Sequence, residues 1–258
     1  MEHMCADFLE ECEALDGLLS NIDVGSWDRA TPADGWSIRD QISHLWFFDQ
    51  RARLAIVDVE AFRDDMTTLL ARGVDVSIER GRLMRPPELL KAWRADRMQL
   101  ADAARSIEPT TRVPWYGPSM SPRSFITARL METWAHGQDI ADALGATRTP
   151  TNRLRHIAHI GVRARPFSYT VNGRQMPKAD VLVELTSPDG DTWSWGSSDC
   201  DVVRGSALDF CLLVTQRRHL HDTELYVDGE AANEWMGIAQ AFAGPPGSGR
   251  TPGQFPRD

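Results

Sequence analysis

The sequence predicts an α+β protein in which a four-helix bundle is followed by a small mixed domain. Three observations lead there. Apolar residues recur at helical spacing before residue 150. Strand–turn–strand chemistry appears only after Pro150. The apolar fraction, 42% before glycine is counted, lets a chain of 258 residues bury a substantial core. The expected divisions are 1–148 for the helical domain, 149–243 for the α+β domain and 244–258 for a disordered tail.

Each element follows from local chemistry. Phe8, Leu9, Cys12, Leu15, Leu18 and Leu19 mark a first helix over 5–20. Asp34-Gly35-Trp36 turns into a second helix, capped by Ser37 with Asp40 at the capping-box position. A shorter helix is expected over 58–72. Pro86-Pro87-Glu88 opens another, running to about Ile107, because proline is tolerated in a first turn. Pro109 to Pro122 reads as a loop. A long helix then starts at Ser121-Pro122 and stops at Gly145.

Beyond Pro150 a helix is expected over 151–165, then a hairpin of Val181–Leu185 and Thr192–Trp195 around Pro188-Asp189-Gly190. A helix from Ser206 to about Arg218, a strand over Glu224–Val227 and a helix over Glu230–Phe242 complete the second half. Four Gly and four Pro after residue 243 make the end a poor candidate for packing.

Charge excludes several functions. A net charge of −9 gives no gain from neutralising phosphates, so neither nucleic acid nor an anionic membrane is an expected partner. No window approaches the ~18 apolar residues of a membrane span. Acidic residues near Met1 stand where a secretory signal has a basic start, so the expected compartment is the cytoplasm. Cys5, Cys12, Cys200 and Cys211 show no C-x-x-C spacing and are expected to be reduced.

The chemistry concentrates on three residues. Glu132 and His136, four apart on the long helix, project from one face and can chelate a single ion. The same spacing also suits a surface ion pair. His44, on the Ser37 helix, is the candidate third ligand, or an ordinary satisfied or exposed histidine. Asp40 and Asp139 lie one turn from His44 and His136 and are candidates to fix their tautomers. His156, with His159, sits among Arg153, Arg155 and Arg163, which disfavours a cation.

Two segments carry a resemblance. Gly35-Trp36-Ser37-Ile38-Arg39-Asp40-Gln41-Ile42-Ser43-His44-Leu45 and Met131-Glu132-Thr133-Trp134-Ala135-His136-Gly137-Gln138-Asp139-Ile140-Ala141 resemble the metal-binding helices of the DinB-like superfamily. Within it they are most similar to the mycothiol-dependent maleylpyruvate isomerase family. The resemblance implies an N-terminal DinB-like bundle holding a divalent metal, usually zinc, on His44, Glu132 and His136. Nickel, iron or manganese would tolerate the same donors.

It also implies mycothiol as a thiol cosubstrate, with the metal-held thiolate attacking an electrophilic small molecule in an isomerase or S-transferase reaction. An arginine of the second domain, on the helix beginning Gly205-Ser206-Ala207, would clamp a substrate carboxylate. Gln216 stands where the family has glycine, so Arg217 and Arg218 are both candidates. Trp115, Tyr116 and Arg129 are candidate walls of the thiol pocket, and equally suit loop packing and an ordinary helix face. The expected partners are the thiol and its electrophile, in a monomer or homodimer. Two alternatives stand beside this: a metal-dependent hydrolase, needing Asp40 or Asp139 as base, and a non-catalytic metal- or ligand-binding protein.

Overall fold

The computed structural model describes residues 1–20, 22–247 and 249–255, with the side chain of Leu70 left aside. The chain divides into two compact units, Met1–Arg148 and Thr149–Asp258. Among the described residues there are ten α-helices and one four-stranded sheet.

The first unit contains α1 (Glu2–Leu19), α2 (Ile38–Val57), α3 (Val59–Arg72), α4 (Val76–Arg82), α5 (Pro86–Arg105) and α6 (Pro122–Leu144). The long helices α1, α2, α5 and α6 pack in a cycle, α1 on α5 and α6, and α2 on the same two. Their shared interior holds Phe8, Leu15, Ile42, Leu45, Leu89, Trp93 and Leu130, each less than 1% exposed.

Local signals set the ends of the two helices that matter most. Ser37 caps α2: its hydroxyl accepts the Asp40 amide, while the Asp40 carboxylate accepts the Ser37 amide at 2.9 Å. That reciprocal pair satisfies two orphan donors of the first turn. Ser121 caps α6 through its hydroxyl alone, which accepts the Ser124 amide at 3.2 Å, with Pro122 in the first turn. Gly145, at φ 65°, closes α6 in the left-handed conformation, and the Ala146 amide returns to the Ala141 carbonyl. Glycine adopts that conformation without a Cβ penalty.

Helix α4 was not anticipated from the sequence. It packs on α2 at very short range: a Cβ placed on Gly81 would lie 2.3 Å from Ser43 Oγ. The close approach lets the Ser43 hydroxyl donate to the Ser77 carbonyl at 2.8 Å.

The second unit contains α7 (Leu154–Arg163), α8 (Arg165–Val171), β1 (Leu182–Thr186), β2 (Thr192–Trp195), β3 (Val202–Ser206), α9 (Ala207–Val214), β4 (Tyr226–Asp228) and α10 (Glu230–Met236). The sheet order is β2-β1-β3-β4, with β1 and β3 parallel and both outer pairs antiparallel. The hairpin turn lies at Pro188-Asp189-Gly190, with Gly190 at φ 90°.

Several expectations are corrected here. The helix expected over 151–165 starts at Leu154, breaks at Ala164, and is followed by α8 with proline in its first turn. Strand β3 was missed, and α9 and α10 stop earlier than their apolar runs suggested. The expected tail, 244–258, lies partly outside the described residues. Its described part has no helix or strand, and the Gly253 amide donates to Asp222 at 2.7 Å.

All four cysteines are free thiols. No helix among the described residues is long and apolar enough to cross a membrane.

Candidate metal centre

Helices α2 and α6 meet along the face that carries the three histidine and glutamate candidates. One ligating atom each from His44, Glu132 and His136 lies within 4.8 Å of the others. His136 Nε2 and Glu132 Oε2 are 3.4 Å apart. Two donors on a tetrahedral zinc, each at about 2.1 Å, stand roughly 3.4 Å apart. Both histidines are 8% exposed. Among the described residues no fourth His, Cys, Asp or Glu joins the group.

The outer ring nitrogens are already engaged. His44 Nδ1 lies 2.9 Å from Ser77 Oγ on α4, and His136 Nδ1 bonds Gln41 Oε1 on α2. Each ring therefore turns Nε2 toward the common point, as metal-binding imidazoles require. These partners differ from the carboxylates expected from sequence. Asp40 instead closes the α2 cap and accepts Arg82 Nε at 2.7 Å and Nη2 at 2.9 Å. Burial pushes the Asp40 carboxyl up, but Arg82 and Ser37 outweigh it and hold it below its ordinary value. Two imidazoles and one carboxylate, with both outer nitrogens occupied, fit a divalent cation of borderline softness.

An aromatic wall adjoins this centre. Trp36 stacks on His136, with centroids 6.0 Å apart at 15°, and tilts against His44 at 5.0 Å. Phe48 also packs against His44, at 4.6 Å. Trp115 and Tyr116 reach the same cluster through Phe48, at 6.2 and 5.7 Å, and pack on Phe62. The Tyr116 hydroxyl is buried beside Arg51, and burial pushes its phenol well above the usual value against the pull of that guanidinium.

Arg129 lies one turn before Glu132, with its side chain only 4% exposed. Its Nε and Nη2 donate to Asp49 Oδ1 at 3.1 and 2.9 Å, while Trp93 Nε1 donates to Asp49 Oδ2 at 3.1 Å. The pair joins α2 to α6 beneath the candidate ligands.

Arg217 and Arg218 belong to the second unit. They follow α9 in a Schellman turn: the Gln216 amide returns to Leu213 and the Arg217 amide to Leu212, both at 2.8 Å. Gln216 sits at φ 60°, the left-handed conformation that glycine adopts without strain. Arg218 stacks on Phe255 at 4.0 Å, and Arg217 Nη1 donates to the Thr215 carbonyl at 2.7 Å.

Sequence reasoning missed Gln41, Ser77, Trp36 and Phe48 as parts of the centre. Gln41 had a signal, since it lies three residues before His44 on the same helix. Ser77 had none, because its helix was not foreseen.

Known proteins share the family and the fold of this chain. Residues 8–141 match the family described as the mycothiol maleylpyruvate isomerase N-terminal domain. An uncharacterized protein of Mycobacterium tuberculosis strain CDC 1551 / Oshkosh and one of strain ATCC 25618 / H37Rv are each 47% identical over 249 residues, covering 95% of this chain and 97% of theirs. Crystal structures of the mycothiol-dependent maleylpyruvate isomerase and of a histidine-to-alanine mutant share the fold, with TM-scores of 0.55 and 0.56. Both are 18% identical and cover 84% of this chain and 89% of theirs. From the match across its helical unit, the chain belongs to the mycothiol maleylpyruvate isomerase family.

Proposed function

We propose that this protein is a divalent-metal-dependent enzyme that uses mycothiol against an electrophilic small molecule, as an isomerase or an S-transferase. The observation that carries the proposal is the convergence of His44, Glu132 and His136 within 4.8 Å in a chain of this family. His44 and His136 would hold the ion through Nε2, and Glu132 through its carboxylate. A divalent cation there, zinc in first place, supplies a Lewis acid that lowers the pKa of a thiol toward neutrality.

The chain's own residues do the rest. Ser77 and Gln41 hold the imidazoles at Nδ1. Trp36 and Phe48 exclude water from the two rings, which strengthens every charge interaction inside. Trp115 and Tyr116 extend that apolar wall to where the thiol's carbon frame would lie. Arg129, held by Asp49, sets α2 against α6.

The hydrolase alternative loses one of its two candidate bases. Asp40 is 2% exposed, engaged by Arg82 and Ser37, and held below the usual carboxylate range.

Titration of the cobalt-substituted protein with mycothiol tests the proposal. A sulfur-to-metal charge-transfer band is expected, together with thiol-dependent consumption of maleylpyruvate-like substrates. A correctly loaded protein that shows no band and turns over activated esters without thiol refutes it.

A further inference from the structure

The hydrogen bonds behind His136 form a chain whose far end decides where the imidazole proton sits. The loop before α2 closes on itself: Ala30 and Ser37 pair as an isolated antiparallel bridge, and the Thr31 hydroxyl lies 2.9 Å from the Trp36 carbonyl. A carbonyl oxygen only accepts, so the hydroxyl spends its one proton there. Its lone pairs then face Gln41, whose Nε2 stands 2.8 Å away and donates. With its NH₂ committed to Thr31, the amide of Gln41 presents Oε1 to His136 Nδ1. An amide oxygen accepts only, so Nδ1 carries a proton, and in the neutral ring Nε2, 3.4 Å from Glu132 Oε2, holds the lone pair.

We propose that Thr31 and Gln41 are positioning residues that lock the neutral His136 ring in the Nδ1–H tautomer, leaving Nε2 as the nitrogen offered to a cation. The contrast with His44 supports this. Its Nδ1 faces Ser77 Oγ, a hydroxyl able to donate or accept, so that contact orients the ring without choosing a tautomer. The same loop carries Trp36, whose ring stacks on His136. One short segment thus covers the imidazole and, through Gln41, sets its proton. The opposite arrangement is definite. If Thr31 donated to Gln41 Oε1, leaving only its own amide on the Trp36 carbonyl at 2.8 Å, the amide would turn NH₂ toward His136 and put the proton on Nε2.

The inference rests on the metal-centre proposal only for its consequence, because the tautomer is measurable without metal. Long-range ¹H–¹⁵N correlation spectra of the metal-free, histidine-labelled full chain at mildly alkaline pH report which ring nitrogen is protonated. His136 is expected in the Nδ1–H form in the wild type and in Gln41→Glu, whose carboxylate still accepts. Gln41→Leu and Thr31→Val are expected to yield mixed or Nε2–H forms with the far-ultraviolet circular dichroism unchanged. Zinc affinity, by competition with a chelator, should fall about 10–100-fold in Gln41→Leu and hold in Gln41→Glu. An Nε2–H His136 in the wild type, or an Nδ1–H form surviving in folded Gln41→Leu and Thr31→Val, overturns the proposal. Zinc that fails to bind a wild type showing the expected tautomer would refute the metal centre and leave the relay standing.

Discussion

Replacing Arg129 by Met strands a carboxylate inside the protein. Asp49 is fully buried, and the two guanidinium donors at 2.9 and 3.1 Å neutralise it. Removing one partner of such a pair costs about 3–5 kcal/mol, because the remaining charge keeps its desolvation penalty. In a unit of this size that lowers Tm by roughly 6–20 °C. Burial already pushes the Asp49 carboxyl above its ordinary value despite Arg129, and the variant removes the opposing pull.

The sign of the pH dependence follows. A carboxyl raised in the folded state is protonated there first, so the penalty is absent below the unfolded value near ~4 and grows as pH rises through the folded one. Urea denaturation of wild type, Arg129→Met, Asp49→Asn and the double variant measures the coupling. Asparagine keeps an acceptor for Trp93 Nε1 but carries no charge. The double variant should regain about 2 kcal/mol or more over Arg129→Met at neutral pH. A loss within about 1 kcal/mol that is additive and independent of pH would show that the pair is not what joins α2 to α6.

Other outcomes follow from the same contacts. Gly81→Ala drives a Cβ into Ser43 and should cost about 1–3 kcal/mol by overpacking, with weaker zinc binding because α4 carries Ser77 away from His44. Its thermal denaturation and chelator competition should move together, and a stable variant with unchanged affinity would contradict the role of α4. Asp40→Asn weakens the α2 cap. The Asp40 carboxyl is held low in the fold, so its contribution is present above the unfolded value near ~4 and lost as pH falls through the folded one. The variant should therefore be less stable at neutral pH by about 1 kcal/mol and converge with wild type in acid. Replacing Gln216 by glycine relieves the left-handed turn after α9 and should stabilise the protein by up to about 1 kcal/mol, seen as a raised urea midpoint.

The parts legible in the sequence are those set by local chemistry. Ser37 with Asp40, Ser121-Pro122 with Gly145, and Pro188-Asp189-Gly190 each satisfy or end a backbone segment with residues a few positions apart. The Glu132–His136 spacing belongs to the same class, since helix geometry alone places both on one face. What escaped depends on distant partners. Helix α4 is seven residues long and includes Gly81, so propensity argues against it; packing on α2 makes it. Strand β3 is held by parallel pairing to β1 across a hairpin, which its short Val202-Val203 run does not announce. Helix α9 ends early because Gln216, not a glycine, turns left-handed. Around the histidines helical spacing points to a carboxylate, whereas an amide and a hydroxyl supply the contacts.

Metal content is the most direct measure of the central claim that the two imidazoles and the carboxylate form one cation site. After reconstitution and exhaustive dialysis, the wild type should retain about one zinc per chain, with His44→Ala, Glu132→Ala and His136→Ala each retaining almost none while still folded. Wild-type protein that emerges empty, or single variants that remain fully loaded, would contradict it.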